Sequence, residues 1–288
     1  MKILVTGALG QLGREMARVA AASGDTFFLT DIGELDITDA RAVTSLVAGG
    51  RVEVIVNCAA YTNVDRAEDD PAAADLINNT AVGNLARAAR AAGATLIHVS
   101  TDYVFDGKAH TPYTEDAPAA PTGVYGATKL AGERAVAESG CDHIILRTAW
   151  LYSQWGNNFV KTMARLTAER DTLSVVFDQV GSPTSAADLA DAIGHIIASR
   201  QLAATGVYHF TDEGVCSWYD FAVQIAKLSG NSCDIRPILS SQYPSKVRRP
   251  HYSVLDKAKF RDTFRYKIPH WTESLEKCVS QLKNTSQQ

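Results

Sequence analysis

The 288 residues, 46% hydrophobic and 21% charged, are enough for two ordinary domains or one large one, and too apolar for a disordered chain. Lys and Arg (28) nearly balance Asp and Glu (32), a net charge of −4, without the basic excess of a nucleic-acid binder. No apolar run approaches the ~20 residues of a membrane span, so neither nucleic acid nor membrane is an expected partner.

Taken in chain order, short β-branched runs alternate with longer Ala-rich segments. Strands are predicted at Lys2–Thr6, Phe27–Asp31, Val52–Cys58, Thr95–Ser100 and His143–Trp150. Helices are predicted near Gln11–Ala22, Thr38–Ala48, Pro71–Ala92 and Thr122–Ser139. The strands are continuous apolar runs, as expected when helices cover both faces of a parallel sheet. The fold class is therefore α/β, a doubly wound parallel sheet of Rossmann type. Beyond residue 150 the rhythm loosens. A loop at Ser153–Asn158 leads to a helix near Phe159–Glu169, a strand near Leu173–Phe177, a helix around Ala186–Ser199 and a strand around Gly206–Thr211. These later elements are expected to form a smaller α/β substrate lobe, giving a division into 1–150 and, mainly, 151–288, with some later segments returning to the first part. Ile235–Pro250 reads as a surface loop, and Lys283–Gln288 as a frayed polar tail. The five cysteines (58, 141, 216, 233, 278) are odd in number and widely spaced, with no C-x-x-C pair. With a glycine motif beginning at residue 7, they suggest a cytoplasmic protein with reduced thiols.

Gly7-Ala8-Leu9-Gly10-Gln11-Leu12-Gly13 follows the first strand and opens the first helix. Glycines there let backbone N–H groups approach a pyrophosphate at the positive end of the helix dipole. The G-x-x-G-x-x-G spacing differs from the general dinucleotide fingerprint; its position carries the assignment. Asp31, at the end of strand two, can accept hydrogen bonds from ribose hydroxyls and would repel a 2′-phosphate. That leans toward NAD, partly offset by Arg14, and the choice between NADPH and NADH stays open. Asp36 and Ile37 follow in the next loop, placed to meet an adenine edge.

Tyr125-Gly126-Ala127-Thr128-Lys129 puts a phenol and an ammonium on one helix face. A phenol with a reference pKa of about 10 needs such a neighbour to exchange protons near neutrality, and the same lysine can hold the nicotinamide ribose. A hydroxyl partner is expected where the fourth strand ends, with Ser100 and Thr101 as candidates pointing to opposite sides.

Gly7–Gly13, Asn57–Thr62, Ser100–Gly107 and Tyr125–Lys129 together resemble the extended short-chain dehydrogenase/reductases. Val64–Glu68, Val124–Glu133, Arg147–Tyr152, Gly156–Phe159, Asp178–Thr184 and Arg248–Pro250 narrow the resemblance to the dTDP-4-dehydrorhamnose reductase family. It implies reduction of a nucleotide-linked 4-keto sugar by NADPH or NADH. Tyr125 would be the proton donor, Lys129 its partner, and Thr101 the hydrogen-bond donor at the reacting oxygen. It also implies cofactor contacts from Ala59, Ala60, Tyr61 and Thr62, with Tyr61 standing where several members carry His. Substrate contacts would come from Asp102, Trp150, Asn158 and Arg249. Some members bind Mg²⁺ through acids at a dimer interface. Glu15 matches one such position, but Ala187 stands where a second acid is expected. Mg²⁺ is therefore doubtful, and the chain is expected to be a monomer or a homodimer of another form. Two further readings follow from the same scaffold. A non-catalytic subunit like the β subunit of methionine adenosyltransferase is opposed by the presence of Thr101, Tyr125 and Lys129. Epimerase or dehydratase chemistry is opposed by Tyr103, where a dehydratase would carry Glu.

Overall fold

The computed structural model describes residues 1–247 and 249–285. Five predicted strands form in place: β1 Lys2–Thr6, β2 Thr26–Thr30, β3 Val54–Asn57, β4 Thr95–Thr101 and β5 His143–Thr148. With Gly206–His209 they make one six-stranded sheet, in the order Gly206–His209, β5, β4, β3, β1, β2. Every pairing in it is parallel. The order reverses between β1 and β3, and ligands bind at such a switch point in open α/β sheets. The glycine turn leaves β1 at this point.

Helices cover both faces. On one side Gln11–Ala22, Ala186–Ala198 and Ala258–Phe264 bury Met16, Ile193, Ile196, Phe260 and Phe264 against Ile3, Val5, Val56 and Ile97. On the other, Ala40–Gly50 and Ala81–Ala92 bury Val43, Val47, Leu85 and Ala89 against Leu4, Ile55, Leu96 and Ile145. A separate apolar cluster holds the remainder of the second half. It joins Tyr152, Val160, Leu173, Phe221, Trp271 and Leu275 from Leu151–Tyr152, Phe159–Glu169, Thr172–Val176, Trp218–Ser229 and Trp271–Thr285.

Several expectations need correction. Gly206–His209 does not belong to a smaller lobe but pairs with β5 in the main sheet, and Ala186–Ala198 packs beneath that sheet. The presumed loop at 235–250 begins with a strand, Asp234–Ile238, parallel to Thr172–Val176. Pro237 hid it; proline is tolerated in a strand with one partner, where a missing N–H costs no second ladder. The predicted helix Pro71–Ala92 is broken by a π-helical turn at Leu76–Thr80. A short helix, Val64–Asp69, capped by Asn63, was not anticipated. Strand five stops at Thr148, because Trp150 adopts a left-handed backbone (φ 51°), rare for a bulky residue. The last helix continues through Lys283 to Thr285, and the rest of the expected frayed tail, like Arg248, lies outside the described residues.

Candidate active site

The helix Gln11–Ala22 starts at Gly10 with no side-chain cap and no acidic residue in its first turn. Its first N–H groups are therefore available to an anion. Gly7 has φ 68°, and a Cβ on it would lie 2.7 Å from the Ala59 nitrogen. A Cβ on Gly13 would lie 2.1 Å from the Gly7 carbonyl oxygen. Only glycine permits this turn to fold against both the helix and the chain leaving β3. The cradle fits a dinucleotide pyrophosphate.

Asp31 follows β2 directly, and its carboxylate accepts from the Leu9 N–H (2.9 Å) and the Ile32 N–H (2.9 Å). It fastens the glycine turn to β2 beside two exposed apolar side chains, Leu9 and Ile32. The Arg14 guanidinium donates to the Leu9 carbonyl and lies over the Trp155 ring. Asp36 is exposed and accepts from Thr38, which holds its carboxyl below the usual range. The Ile37 side chain is in the core, so only its backbone can meet a ligand. Gln11 is engaged across the molecule: its Oε1 accepts from Asn158 Nδ2 (2.9 Å) and Ser153 Oγ (3.0 Å). Leu12 is core.

Thr101, Tyr125 and Lys129 converge where β4 ends. The helix carrying the last two, Val124–Ser139, has no side-chain cap from its own N-cap residue, Gly123. Glu68 supplies one from another helix, accepting the Val124 N–H at 2.7 Å. Thr101 Oγ1 donates to Asp102 Oδ1 (2.9 Å) and lies near the Tyr125 phenol. Burial raises the Tyr125 phenol above its ordinary value; Thr101 pulls it back, while Asp102 and Tyr103 add to the rise. The Tyr103 ring meets Tyr125 edge-on, with centroids 5.4 Å apart. Burial pushes Asp102 up to about 6. Lys129 Nζ donates to the Val99 carbonyl at 2.7 Å. Burial lowers it to about 8, against the Glu133 charge one helical turn away. Ser100 points elsewhere, donating to Glu133.

Ala59–Thr62 follow β3. Asn57 Oδ1 accepts the Ala59 N–H, and Asn78 binds both backbone groups of Tyr61. No polar contact fixes Ala60, and Thr62 is exposed. Trp150 stacks on Trp218 with centroids 3.5 Å apart and its ring lies against Gly181. Trp218 and Phe159 continue into a groove of about 1140 Å³ that reaches Lys246, Arg249 and His251. Arg249 pairs with Asp65 (3.0 Å), and its charge lies near the Tyr103 phenol. Asn158 uses its amide nitrogen on Gln11, Ser153 and Trp155 and its oxygen on the Lys161 N–H, capping Phe159–Glu169. Its side chain joins the glycine turn to the second half of the chain.

Glu15 is buried and accepts from Arg18 Nε (3.0 Å) and Trp155 Nε1 (3.0 Å). Arg18 also pairs with Asp191 at 2.7 Å. Asp188 is buried, and its Oδ2 has no hydrogen-bond partner among the described residues. A guanidinium already compensates Glu15, so this set does not fit Mg²⁺. Asn78, Trp218 and the Glu133–Arg147 pair were not singled out from the sequence. An asparagine inside an Ala-rich helical pattern was the one available signal.

A glycine turn at the switch point, on the same sheet edge as a Thr–Tyr–Lys set at the end of β4, defines a dinucleotide-dependent oxidoreductase of the extended short-chain dehydrogenase/reductase kind. The chain belongs to the RmlD substrate binding domain family, whose model matches residues 1–284. It is 43% identical over 298 aligned positions to a dTDP-4-dehydrorhamnose reductase of Burkholderia thailandensis, covering 98% of this chain and 99% of that one. Its structure superposes on a dTDP-4-dehydrorhamnose reductase from Clostridium acetobutylicum with a TM-score of 0.94 at 43% identity, covering 98% and 100% of the two chains. The corresponding Bacillus anthracis protein, solved in complex with NADP, gives 0.91 at 38% identity, covering 97% and 99%.

Proposed function

We infer that the protein reduces the 4-keto group of dTDP-4-dehydro-L-rhamnose to give dTDP-L-rhamnose, with NADPH or NADH as reductant. The observation that carries this reading is the convergence of Thr101, Tyr125 and Lys129 at the end of β4, on the same edge of the parallel sheet as the glycine turn, in a chain that matches its relatives almost end to end. Residues 1–150 would mainly hold the cofactor and 151–288 mainly the nucleotide sugar, in a reducing cytoplasm that suits five unpaired cysteines. Among the described residues no helix is long and apolar enough to cross a membrane.

Gly7, Gly10, Gln11, Leu12 and Gly13 would hold the pyrophosphate, with Asp31, Asp36 and Ile37 at the adenosine end and Ala59–Thr62 near the nicotinamide. When bound, the cofactor supplies the hydride. The phenol of Tyr125 gives its proton to the ketone oxygen, and Thr101 Oγ1, turned away from Asp102, would donate a hydrogen bond to that oxygen. Both act where negative charge develops, the largest contribution in many enzymes. Burial keeps Tyr125 protonated until it is needed. The Lys129 ammonium, drawn from the Val99 carbonyl, would stabilise the phenolate left behind and hold the ribose. Trp150, in its left-handed backbone, would present its ring edge to the sugar; Arg249 and Asp102 would supply further polar contacts, and the adjoining groove would take the nucleotide.

The test is nicotinamide oxidation with freshly made dTDP-4-dehydro-L-rhamnose, beside UDP-linked and other 4-keto-6-deoxy sugars. Turnover with the dTDP sugar is expected. Preference for another keto sugar would reassign the substrate, and no oxidation with any of them, together with a tightly held protein partner, would overturn the enzyme reading.

The lowered Lys129 value makes a pH prediction. The ammonium is present below about 8 and lost above it, so kcat should fall as pH rises through 8. Stability should move the other way. An unfolded lysine keeps its proton to about 10.4, so between 8 and that value the unfolded chain binds more protons and this group's contribution to stability rises. Parallel loss of kcat and of stability above pH 8 would count against Lys129 as the group responsible.

A further inference from the structure

We propose that Asp65 and Asp69 compete with the substrate's diphosphate for Arg249 and Lys246, and so set how tightly the groove takes a nucleoside diphosphate. The proposal rests on the reading of that groove as the nucleotide site. Lys246 and Arg249 line it together with Phe159 and Trp218, and a diphosphate is bound by donors of this kind. Both cations already have partners. Lys246 Nζ pairs with Asp69 at 3.2 Å, and Arg249 pairs with Asp65 at 3.0 Å. The second contact runs from one nitrogen, Nη2, to one carboxylate oxygen, short of the two-bond fork that a guanidinium can form with a phosphate. All four side chains are about a third exposed or more. Pairs so open to water shift an equilibrium by up to about fivefold each, so a ligand with two phosphate groups can displace both carboxylates.

The two sides of this contact are held differently. Asp65 and Asp69 belong to the short helix Val64–Asp69, which Asn63 caps. Glu68 of the same helix accepts the Val124 N–H at 2.7 Å. A Cβ on Gly123 would lie 2.8 Å from the Glu68 carboxylate, so glycine leaves room for that bond. The aspartates are thereby fixed to the start of the helix carrying Tyr125 and Lys129. The cations instead lie on a strap anchored at its two ends. At one end Asp178 accepts from the Ser240 N–H (2.8 Å) and hydroxyl (2.6 Å). At the other, Pro250 packs on Gly107, whose carbonyl accepts the Tyr252 N–H at 3.2 Å. Between these anchors residues 241–246 are exposed, and Val247 is buried as an apolar peg. Long, flexible side chains on such a strap can turn from carboxylate to phosphate while the fold stays in place.

The experiment titrates dTDP calorimetrically into wild type, the double variant Asp65→Asn with Asp69→Asn, and Asp70→Asn. Asp70 is the next residue along and caps the following helix through the Ala73 N–H, which Asn also does. Its replacement removes a like charge without touching the strap. These surface changes should leave Tm within about 2 °C of wild type. The double variant should bind dTDP about three- to tenfold tighter than wild type at about 50 mM salt, and within about twofold at about 0.5 M, where screening already weakens the competing pairs. Asp70→Asn should stay within about twofold of wild type at both. Unchanged affinity in the double variant would overturn the proposal. Weaker binding would too, by showing that the aspartates orient the cations for the ligand. So would a gain undiminished by salt, or a comparable gain in Asp70→Asn, which would assign the effect to overall charge. Failure of wild type to bind dTDP would instead overturn the reading of the groove, and the proposal with it.

Discussion

Replacing Tyr125 with Phe is expected to lower kcat by about 10²- to 10⁴-fold, the range for loss of a positioned proton donor, and to leave NADPH affinity within about twofold of wild type. Phe keeps the ring, and with it the edge-on contact to Tyr103, so the surrounding packing has no reason to change. What disappears is the proton-bearing hydroxyl that burial holds in the protonated form beside Thr101. Thr101→Val should be the milder variant, because it removes a hydrogen bond to the developing oxyanion and leaves the proton itself. Steady-state turnover with the keto sugar, alongside a fluorescence titration of NADPH, separates the two. A Tyr125→Phe enzyme within tenfold of wild type would remove Tyr125 from the chemistry.

The second large effect concerns stability. Glu133 and Arg147 form a buried ion pair at 2.7 Å, with Arg147 Nε also donating to both carboxylate oxygens. Ser100 Oγ donates to the same carboxylate, and the guanidinium lies over Phe105. Glu133→Ala would leave Arg147 charged, buried and without its partner, a change that typically costs about 3–5 kcal/mol. In a chain of this size that corresponds to a fall of roughly 5–8 °C in Tm. The double replacement Glu133→Leu with Arg147→Met removes both charges and should recover at least half of the loss, since a buried pair contributes little net stability over apolar groups of similar volume. Thermal and urea melts of the single and double variants decide this. A single variant within about 1 kcal/mol of wild type would show that solvent reaches the pair.

Much of the fold was legible because local rules and tertiary structure agree in the first half. Lys2–Thr6, Gln11–Ala22 and Phe159–Glu169 appear with the boundaries their patterns imply, since apolar periodicity and turn residues mark both ends. Thr38–Ala48 began two residues early because Asp39, not Thr38, caps the helix through the Arg41 and Ala42 N–H groups. The strand Asp234–Ile238 was hidden by Pro237 and by its exposed, polar edge position. Gly206–His209 was recognised as a strand but assigned to the wrong sheet, because four residues carry no record of which edge they will meet.

The same division holds at the site. Motif spacing was sufficient to choose the glycine turn, Tyr125, Lys129 and Thr101, since a phosphate cradle and a proton donor require particular residue types at particular offsets along one chain. The sequence by itself also determined the layered α/β class, the near-neutral charge, and the lack of a basic surface excess or an apolar run of membrane length. Only the tertiary structure decided that Asn78 clasps Tyr61, that Glu68 caps a helix from another element, that Asn158 latches onto Gln11, and that Trp155 reaches Glu15. These pairs lie 17 to 147 positions apart along the chain. Hydrogen bonds and ion pairs act over about 3 Å, so which distant groups come within reach is set by how the sheet and helices pack, and no spacing along the chain encodes it.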